Sequence, residues 1–323
     1  MPSSDHTWAI VLAAGEGTRL QSLTTDAIGR PIPKQYCSLF GGSTLLQDAL
    51  RRGLPLASHK RLCAIVATQH SEWWRATLWA LPPDNLIVQP ANRGTAIGVL
   101  LSVLSIQAMD PFARIAFFPA DHFVENEKRL GSIMRIALTE VEHGPDDLLL
   151  VGVHPDAPES DLGYIVPGTS LGKARRVARF VEKPPATAAA ALVDAGALWN
   201  SFIFAATAAT LVALFRRRMP EVVDLMETAL ARAASAALDE LYATIPAADF
   251  SRDVLVGSER RLRVLPAHGC GWTDLGTPGR VRELLRRGAP RSRLPTVGRA
   301  GTPAAPINLA AACGRPDHME RTS

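Results

Sequence analysis

An apolar run over residues 8–14, WAIVLAA, gives way at once to Gly15-Glu16-Gly17-Thr18-Arg19, and Lys34 follows between Pro33 and Gln35. The run is rich in Ile and Val and reads as a buried strand. Glycines directly after such a strand let backbone N–H groups approach an anion, because no side chain stands in the way. Arg19 and Lys34 add the fixed positive charge that a polyphosphate requires. Together these residues point to phosphate handling at the carboxyl end of a parallel sheet. Two other glycine signatures are absent. A dinucleotide fingerprint needs glycine where Leu20 stands, and no G-x-x-x-x-G-K-[ST] run occurs. Read alone, the glycine pair is equally a structural turn.

The chain beyond Lys34 alternates strand with helix. Ser43 is expected to cap a helix over 44–52 that Gly53 stops. Strands are expected over 61–67, 85–89, 115–118 and 148–154, with helices over 71–79, 94–109 and 127–142. That alternation argues an α/β, doubly wound, mostly parallel Rossmann-like sheet. The second half adds strands over 164–167, 177–182 and 198–205, then a helical region over 206–242 that Pro220 divides in two. A strand over 262–266 leads towards Asp274, and Thr277-Pro278 opens a last helix. No internal repeat occurs, and no hexapeptide pattern that would build a C-terminal β-helix. We expect one domain over 1–287, with a first half to about 155 and a second from about 156. A Pro, Arg and Ala-rich tail over 288–323 follows.

The overall net charge of +4 invites a nucleic-acid reading, but its distribution argues against one. From Arg280 onward nine Arg face only Glu283, Asp317 and Glu320, so that stretch carries +6 and the rest −2. Nucleic acid is therefore not the expected partner. Residues 196–215 hold no charge, yet contain Asn200, Ser201, Thr207 and Thr210 and divide into a strand and a helix, so no membrane span is expected. Four scattered cysteines without C-x-x-C spacing and a start that lacks a basic apolar leader fit a cytoplasmic protein.

Four further clusters carry chemistry. Asp121, in Phe118-Pro119-Ala120-Asp121-His122, offers a carboxylate to a hard cation and is equally a helix cap. Asp274, in Gly271-Trp272-Thr273-Asp274-Leu275-Gly276, offers a second carboxylate or a simple turn. Gln89-Pro90-Ala91-Asn92-Arg93-Gly94-Thr95-Ala96 presents a side-chain amide able to read a base edge, and otherwise reads as a turn before a helix. Gly163, Glu182-Lys183 and Asn200 supply the backbone, carboxylate, cation and amide that a sugar phosphate needs. Glu182-Lys183 is otherwise a solvated strand end.

The stretch from Ala13 to Leu20, followed by Pro33-Lys34, resembles the G-x-G-T-R-(x)n-P-K signature of the sugar-phosphate nucleotidyltransferases. The Gln89 cluster resembles the Q-P-x-x-R-G-T-A segment of mannose-1-phosphate guanylyltransferases. Segments like the family's P-A-D-H, G-Y-I, F-V-E-K-P, W-N-S and W-x-D-x-G follow in the family's order. The resemblance implies transfer of a nucleotidyl group from GTP to a hexose 1-phosphate, most closely mannose 1-phosphate. It implies Arg19, Lys34 and Lys183 as catalytic groups and Mg²⁺ on Asp121 and Asp274. The nucleotide would meet Ala13, Ala14, Gly15, Gly17, Thr18, Gln89, Arg93, Gly94 and Thr95, and the sugar phosphate Gly163, Glu182, Lys183 and Asn200. A homodimer is compatible with this reading. Other bases, heptose or fucose 1-phosphate, and a non-catalytic regulatory binder are the alternatives.

Two departures bear on the sugar. Arg30-Pro31-Ile32-Pro33 lacks the usual S-R-x-x-Y-P-K form, and Phe202-Ile203-Phe204 stands where Gly-Met-Phe is common. The short stretch after Asp274 gives the expectation that no phosphomannose isomerase is fused there.

Overall fold

The computed structural model describes residues 6–26, 28–232 and 235–287. The expected tail over 288–323, with Cys313, lies outside these residues. The first half runs β1 (Thr7–Leu12), α1 (Leu45–Gly53), β2 (Leu62–Ala67), α2 (Ser71–Leu78), β3 (Leu86–Gln89), α3 (Gly94–Met109) and β4 (Arg114–Pro119). There follow β5 (His122–Val124), α4 (Glu127–His143), β6 (Leu148–Val153), β7 (Tyr164–Leu171), β8 (Ala174–Val181), α5 (Ala186–Asp194) and β9 (Leu198–Thr207). The chain continues with α6 (Ala208–Arg218), α7 (Pro220–Ala231), α8 (Ser235–Thr244) and a π-helical turn, Phe250–Leu255. It closes with β10 (Leu262–Ala267), β11 (Trp272–Asp274) and α9 (Pro278–Arg286).

Nine strands form one sheet in the order β3-β2-β1-β4-β9-β6-β10-β8-β7. Strands β1 to β4, β6, β7 and β10 run one way, and β8 and β9 run against them. The sheet is thus mostly parallel, as expected. Alternate residues of β1 explain its two faces: Ile10 joins one apolar cluster, Ala9 and Val11 the other. The first cluster takes in Leu100 of α3, Leu211 of α6, Val223 of α7 and Leu241 of α8. The second takes in Leu46 of α1, Trp74 of α2, Leu130 of α4 and Leu192 of α5. Both faces are covered, which is why the central strands read as continuous apolar runs.

Local departures from the expectations have simple causes. Thr44, not Ser43, caps α1: its hydroxyl accepts from the Gln47 N–H while the Gln47 side chain accepts from Thr44 N–H. Gly53 is the last residue of α1 rather than a stop, and a β-carbon there would stand 2.6 Å from Leu62 and 3.0 Å from Ala9. It lets the helix close onto the sheet. The region over 206–242 holds three helices, not two, with Pro220 at the first turn of α7, where its missing N–H costs nothing. Strands β5 and β11 pair antiparallel, with Asp274 opposite His122. Each has three residues, too few for any periodicity to be read. No helix among the described residues is long and apolar enough to cross a membrane.

Candidate active site

A cavity of about 490 Å³ opens above the carboxyl ends of β1, β3 and β4, where Ala14, Gln89 and Asp121 line it. Parallel sheets leave their ligand crevice at this edge, and the volume suits a nucleotide-sized ligand. Glu182 and Lys183 reach it from the end of β8, and Asn200 from β9.

One end is charged. Lys34 is buried, and its Nζ lies 3.0 Å from Asp121 Oδ2 and 3.9 Å from Asp274 Oδ1 while donating to the Leu275 carbonyl at 3.3 Å. The β5–β11 pairing explains how carboxylates so distant in sequence reach one ammonium. Burial pushes the Asp121 carboxyl up, but the Lys34 and His122 charges and the Lys34 hydrogen bond outweigh it, so the group sits at about 2. His122 has its Nε2 at 3.5 Å from Asp121 Oδ1 and 4.0 Å from Asp274 Oδ1. The Trp272 indole donates to His122 Nδ1 at 3.2 Å, which leaves the imidazole proton on Nε2, facing the carboxylates. Burial holds this histidine below its ordinary pKa. Two hard oxygen donors at a polar cavity wall fit Mg²⁺, which takes one or two carboxylates and completes its shell with water and substrate phosphate.

The glycine loop is shaped for close approach. Gly17 has φ +64°, and a β-carbon there would stand 2.9 Å from the Lys34 backbone nitrogen. Nothing lies within 4 Å of where a Gly15 β-carbon would be, and Gly15 lines the open cavity. Gln35 donates to the carbonyls of Ala13 and Gly15 at 3.1 and 2.7 Å, and the Tyr36 hydroxyl to Ala13 at 3.1 Å. These two residues fix the loop. Neither was foreseen in that role, although both follow Lys34 directly. Ala14 and Arg19 line the cavity; Ala13, Gly17 and Thr18 are not among the residues that line it. Arg19 also donates to Asp161 Oδ2 at 3.1 Å. Gly276 makes room for it, since a β-carbon there would meet Arg19 Nη2 at 3.0 Å and Asp274 Oδ2 at 2.5 Å.

At the α3 end, Gln89 is buried with its amide oxygen 3.5 Å from the Tyr242 hydroxyl. Gly94 has φ +84°, and a β-carbon there would stand 2.2 Å from the Ala248 carbonyl oxygen. Thr95 Oγ1 accepts from the Phe250 N–H at 2.8 Å. The Gln89 cluster therefore docks on residues 247–252, which bring Asp249, Ser251 and Arg252 to the cavity wall. Those three were not read from the sequence, because a π-helical turn has no familiar periodicity. Arg93 is engaged elsewhere: its guanidinium donates to the carbonyls of Tyr242 and Ala243 at 2.6 and 3.3 Å, outside the cavity wall.

At the other end, Gly163 accepts from the Asn200 N–H at 2.8 Å, and a β-carbon on it would collide with Glu182 Oε2 at 2.6 Å. Asn200 donates to Ser251 Oγ at 3.3 Å, which joins this group to the π-helical turn. Burial, reinforced by the Asp249 charge, pushes the Glu182 carboxyl up against the pull of Lys183, whose Nζ lies 3.7 Å from Glu182 Oε1. Arg280 of α9 was not foreseen as a site neighbour. Its guanidinium bonds Asp274 Oδ2 at 3.1 Å and Glu159 Oε1 at 2.9 Å.

Residues 8–286 match the family described as Nucleotidyl transferase. The chain is 30% identical over 298 residues to mannose-1-phosphate guanylyltransferase ManC of Salmonella typhimurium, covering 86% of this chain and 59% of that protein. It is 29% identical over 277 residues to xanthan biosynthesis protein XanB of Xanthomonas campestris pv. campestris, covering 83% of this chain and 57% of that one. It thus spans somewhat over half the length of these relatives. A crystal structure described as mannose-1-phosphate geranyltransferase from Thermus thermophilus superposes with a TM-score of 0.73 at 32% identity, covering 84% of this chain and 76% of that one. The family match runs from β1 to the end of α9 and takes in the whole cavity, so the chain belongs to the nucleotidyl transferase family.

Proposed function

We propose that the protein transfers a guanylyl group from GTP to mannose 1-phosphate, releasing pyrophosphate and forming GDP-mannose. The observation that carries the reading is the convergence of Lys34, Asp121 and Asp274 at one end of a nucleotide-sized cavity. The choice of guanine and mannose draws on the relatives named mannose-1-phosphate guanylyltransferase.

In this reading an oxygen of the sugar phosphate attacks the α-phosphorus of GTP in line. The new P–O bond forms as the bond to the bridging oxygen of the β-phosphate breaks, and pyrophosphate leaves with that electron pair. No protein nucleophile is required, because positioning and charge neutralisation carry phosphoryl chemistry. Arg19 and Lys34 hold the triphosphate and the departing pyrophosphate. Lys183 binds the sugar phosphate, while Glu182, Asn200 and the Gly163 backbone orient the sugar. Gln89, Gly94 and Thr95 border the base. Asp121 and Asp274 hold Mg²⁺, which when bound neutralises charge on the reacting phosphates.

Pyrophosphate release in the presence of Mg²⁺ and mannose 1-phosphate, compared for GTP, ATP, UTP, CTP and dTTP, tests the base. Release with GTP alone is expected. Release with another nucleotide would overturn the reading of Gln89 to Thr95 and leave the transfer mechanism standing.

A further inference from the structure

Among the described residues only two that are not glycine have positive φ: Lys183 at 44° and Phe202 at 56°, and both line the same cavity. A bulky residue in this region is strained, and such strain gathers at functional sites. Lys183 already has a role above. Phe202 does not, and it stands where the resembled motif carries glycine.

A bulge in β9 puts it there. Between the pairs Gly152–Asn200 and Leu150–Phe204, β9 carries three residues against the single Val151 of β6. Ser201 holds the bulge by donating to the Val151 carbonyl at 2.6 Å and accepting from the Ile203 N–H at 3.2 Å. The Phe202 N–H donates to Asn200 Oδ1 at 3.1 Å, so the residue is tied to a sugar-side amide. Its ring lies edge-on to Phe250 at 5.9 Å and to Phe204 at 6.0 Å. Phe250 in turn donates its N–H to Thr95. The ring therefore belongs to the wall that joins Asn200 to the Thr95 contact, and it narrows a space that glycine would leave open.

We propose that Phe202 is a specificity-determining residue that limits the acceptor to hexose 1-phosphates with no substituent beyond the six hexose carbons. The ring offers no hydrogen-bond partner, so it selects by size: in this reading Asn200 orients the sugar, and the aromatic side chain tied beside it takes up room that a longer sugar chain would need. The inference rests on the nucleotidyl-transfer reading.

The test compares kcat/KM for mannose 1-phosphate and a manno-heptose 1-phosphate in the wild type, Phe202→Gly and Phe202→Ala. The wild type should prefer the hexose by on the order of 100-fold, the range a pocket achieves by excluding one carbon. Both variants should bring that ratio below about 10-fold, chiefly by lowering KM for the heptose. Both variants lose the ring's packing on Phe204 and Phe250, but Phe202→Gly should melt above Phe202→Ala, since glycine adopts the conformation without penalty whereas alanine keeps the β-carbon. A wild type that takes both sugars equally overturns the inference. So does an unchanged ratio in the variants, or an equal loss on both sugars, which would mark a purely structural role. Failure of the wild type to release pyrophosphate with any sugar 1-phosphate overturns the transfer reading, and this inference with it.

Discussion

The Lys34 ammonium and the Asp121 carboxylate form an ion pair at 3.0 Å, with Lys34 buried and the Asp121 side chain one third exposed. The same ammonium is 3.9 Å from Asp274, which Arg280 holds at 3.1 Å, so two cations meet two acidic groups at the wall of the cavity. A triphosphate and a divalent cation arriving together would exchange these partners without leaving any of these charges alone. Cost and gain are then closely matched, which suits a site that must bind and release.

Removing either partner should cost activity more than structure. Lys34→Ala and Asp121→Asn are each expected to lower kcat/KM by at least ~100-fold, as for the loss of other charge-stabilising groups. Steady-state kinetics read this, with circular dichroism to establish that the variants fold. Turnover close to that of the wild type in either one would refute its assignment.

The acid behaviour of Asp121 follows from the same pair. Its pKa is depressed from 3.8 to about 2, so its contribution to stability is complete above pH 3.8 and is lost as pH falls through about 2. In Lys34→Ala the largest opposing charge and its hydrogen bond are gone, and the His122 charge is left to work against burial. Carboxyl-carbon NMR should then find Asp121 titrating well above the wild-type position of about 2, and acid unfolding should begin at higher pH than in the wild type. A titration still near 2 would mean that Lys34 is not the cause.

The glycines of the two loops should separate binding from folding. Gly94→Ala forces a β-carbon onto the Ala248 carbonyl at φ +84° and should destabilise the protein by more than about 2 kcal/mol. Gly17→Ala should destabilise as well, and should also displace Lys34. Gly15→Ala meets no neighbour, so Tm should stay within about a degree or two while the KM for nucleotide rises several-fold. A Gly15 variant with unaltered KM would remove the backbone of that residue from the triphosphate site.

Glu182 and Asp249 offer a test of the sugar end. The Asp249 charge helps to hold the Glu182 carboxyl up, so Asp249→Asn should lower the Glu182 pKa. Glu182→Gln should raise KM for the sugar phosphate at least ~10-fold, the loss of one charge-assisted hydrogen bond, and leave KM for the nucleotide nearly unchanged. Equal effects on both substrates would place Glu182 away from the sugar.

The strand and helix pattern of the first half was legible because strands buried on both faces read as apolar runs, and because α1 and α4 open on the side-chain caps Thr44 and Asn126. The mostly parallel sheet followed from that. What joins the site together was not legible. The approach of Asp121 and Asp274 to one lysine depends on two three-residue strands, and Asp249, Ser251 and Arg252 arrive at the start of a π-helical turn packed against Gly94 and Thr95. Arg93 is implied as a nucleotide contact only by the resemblance of the Gln89 cluster, yet its guanidinium anchors the end of α8. Its partners are carbonyl groups some 150 positions away, which leave no trace in local sequence.

Guanylyl transfer itself is most directly tested by phosphorus NMR of the folded protein with GTP, mannose 1-phosphate and Mg²⁺. The diphosphate signals of GDP-mannose and free pyrophosphate should grow together in equal amounts as those of GTP and mannose 1-phosphate decline. Inorganic phosphate in place of pyrophosphate would contradict the reading, as would unchanged spectra across a panel of nucleotides and sugar 1-phosphates.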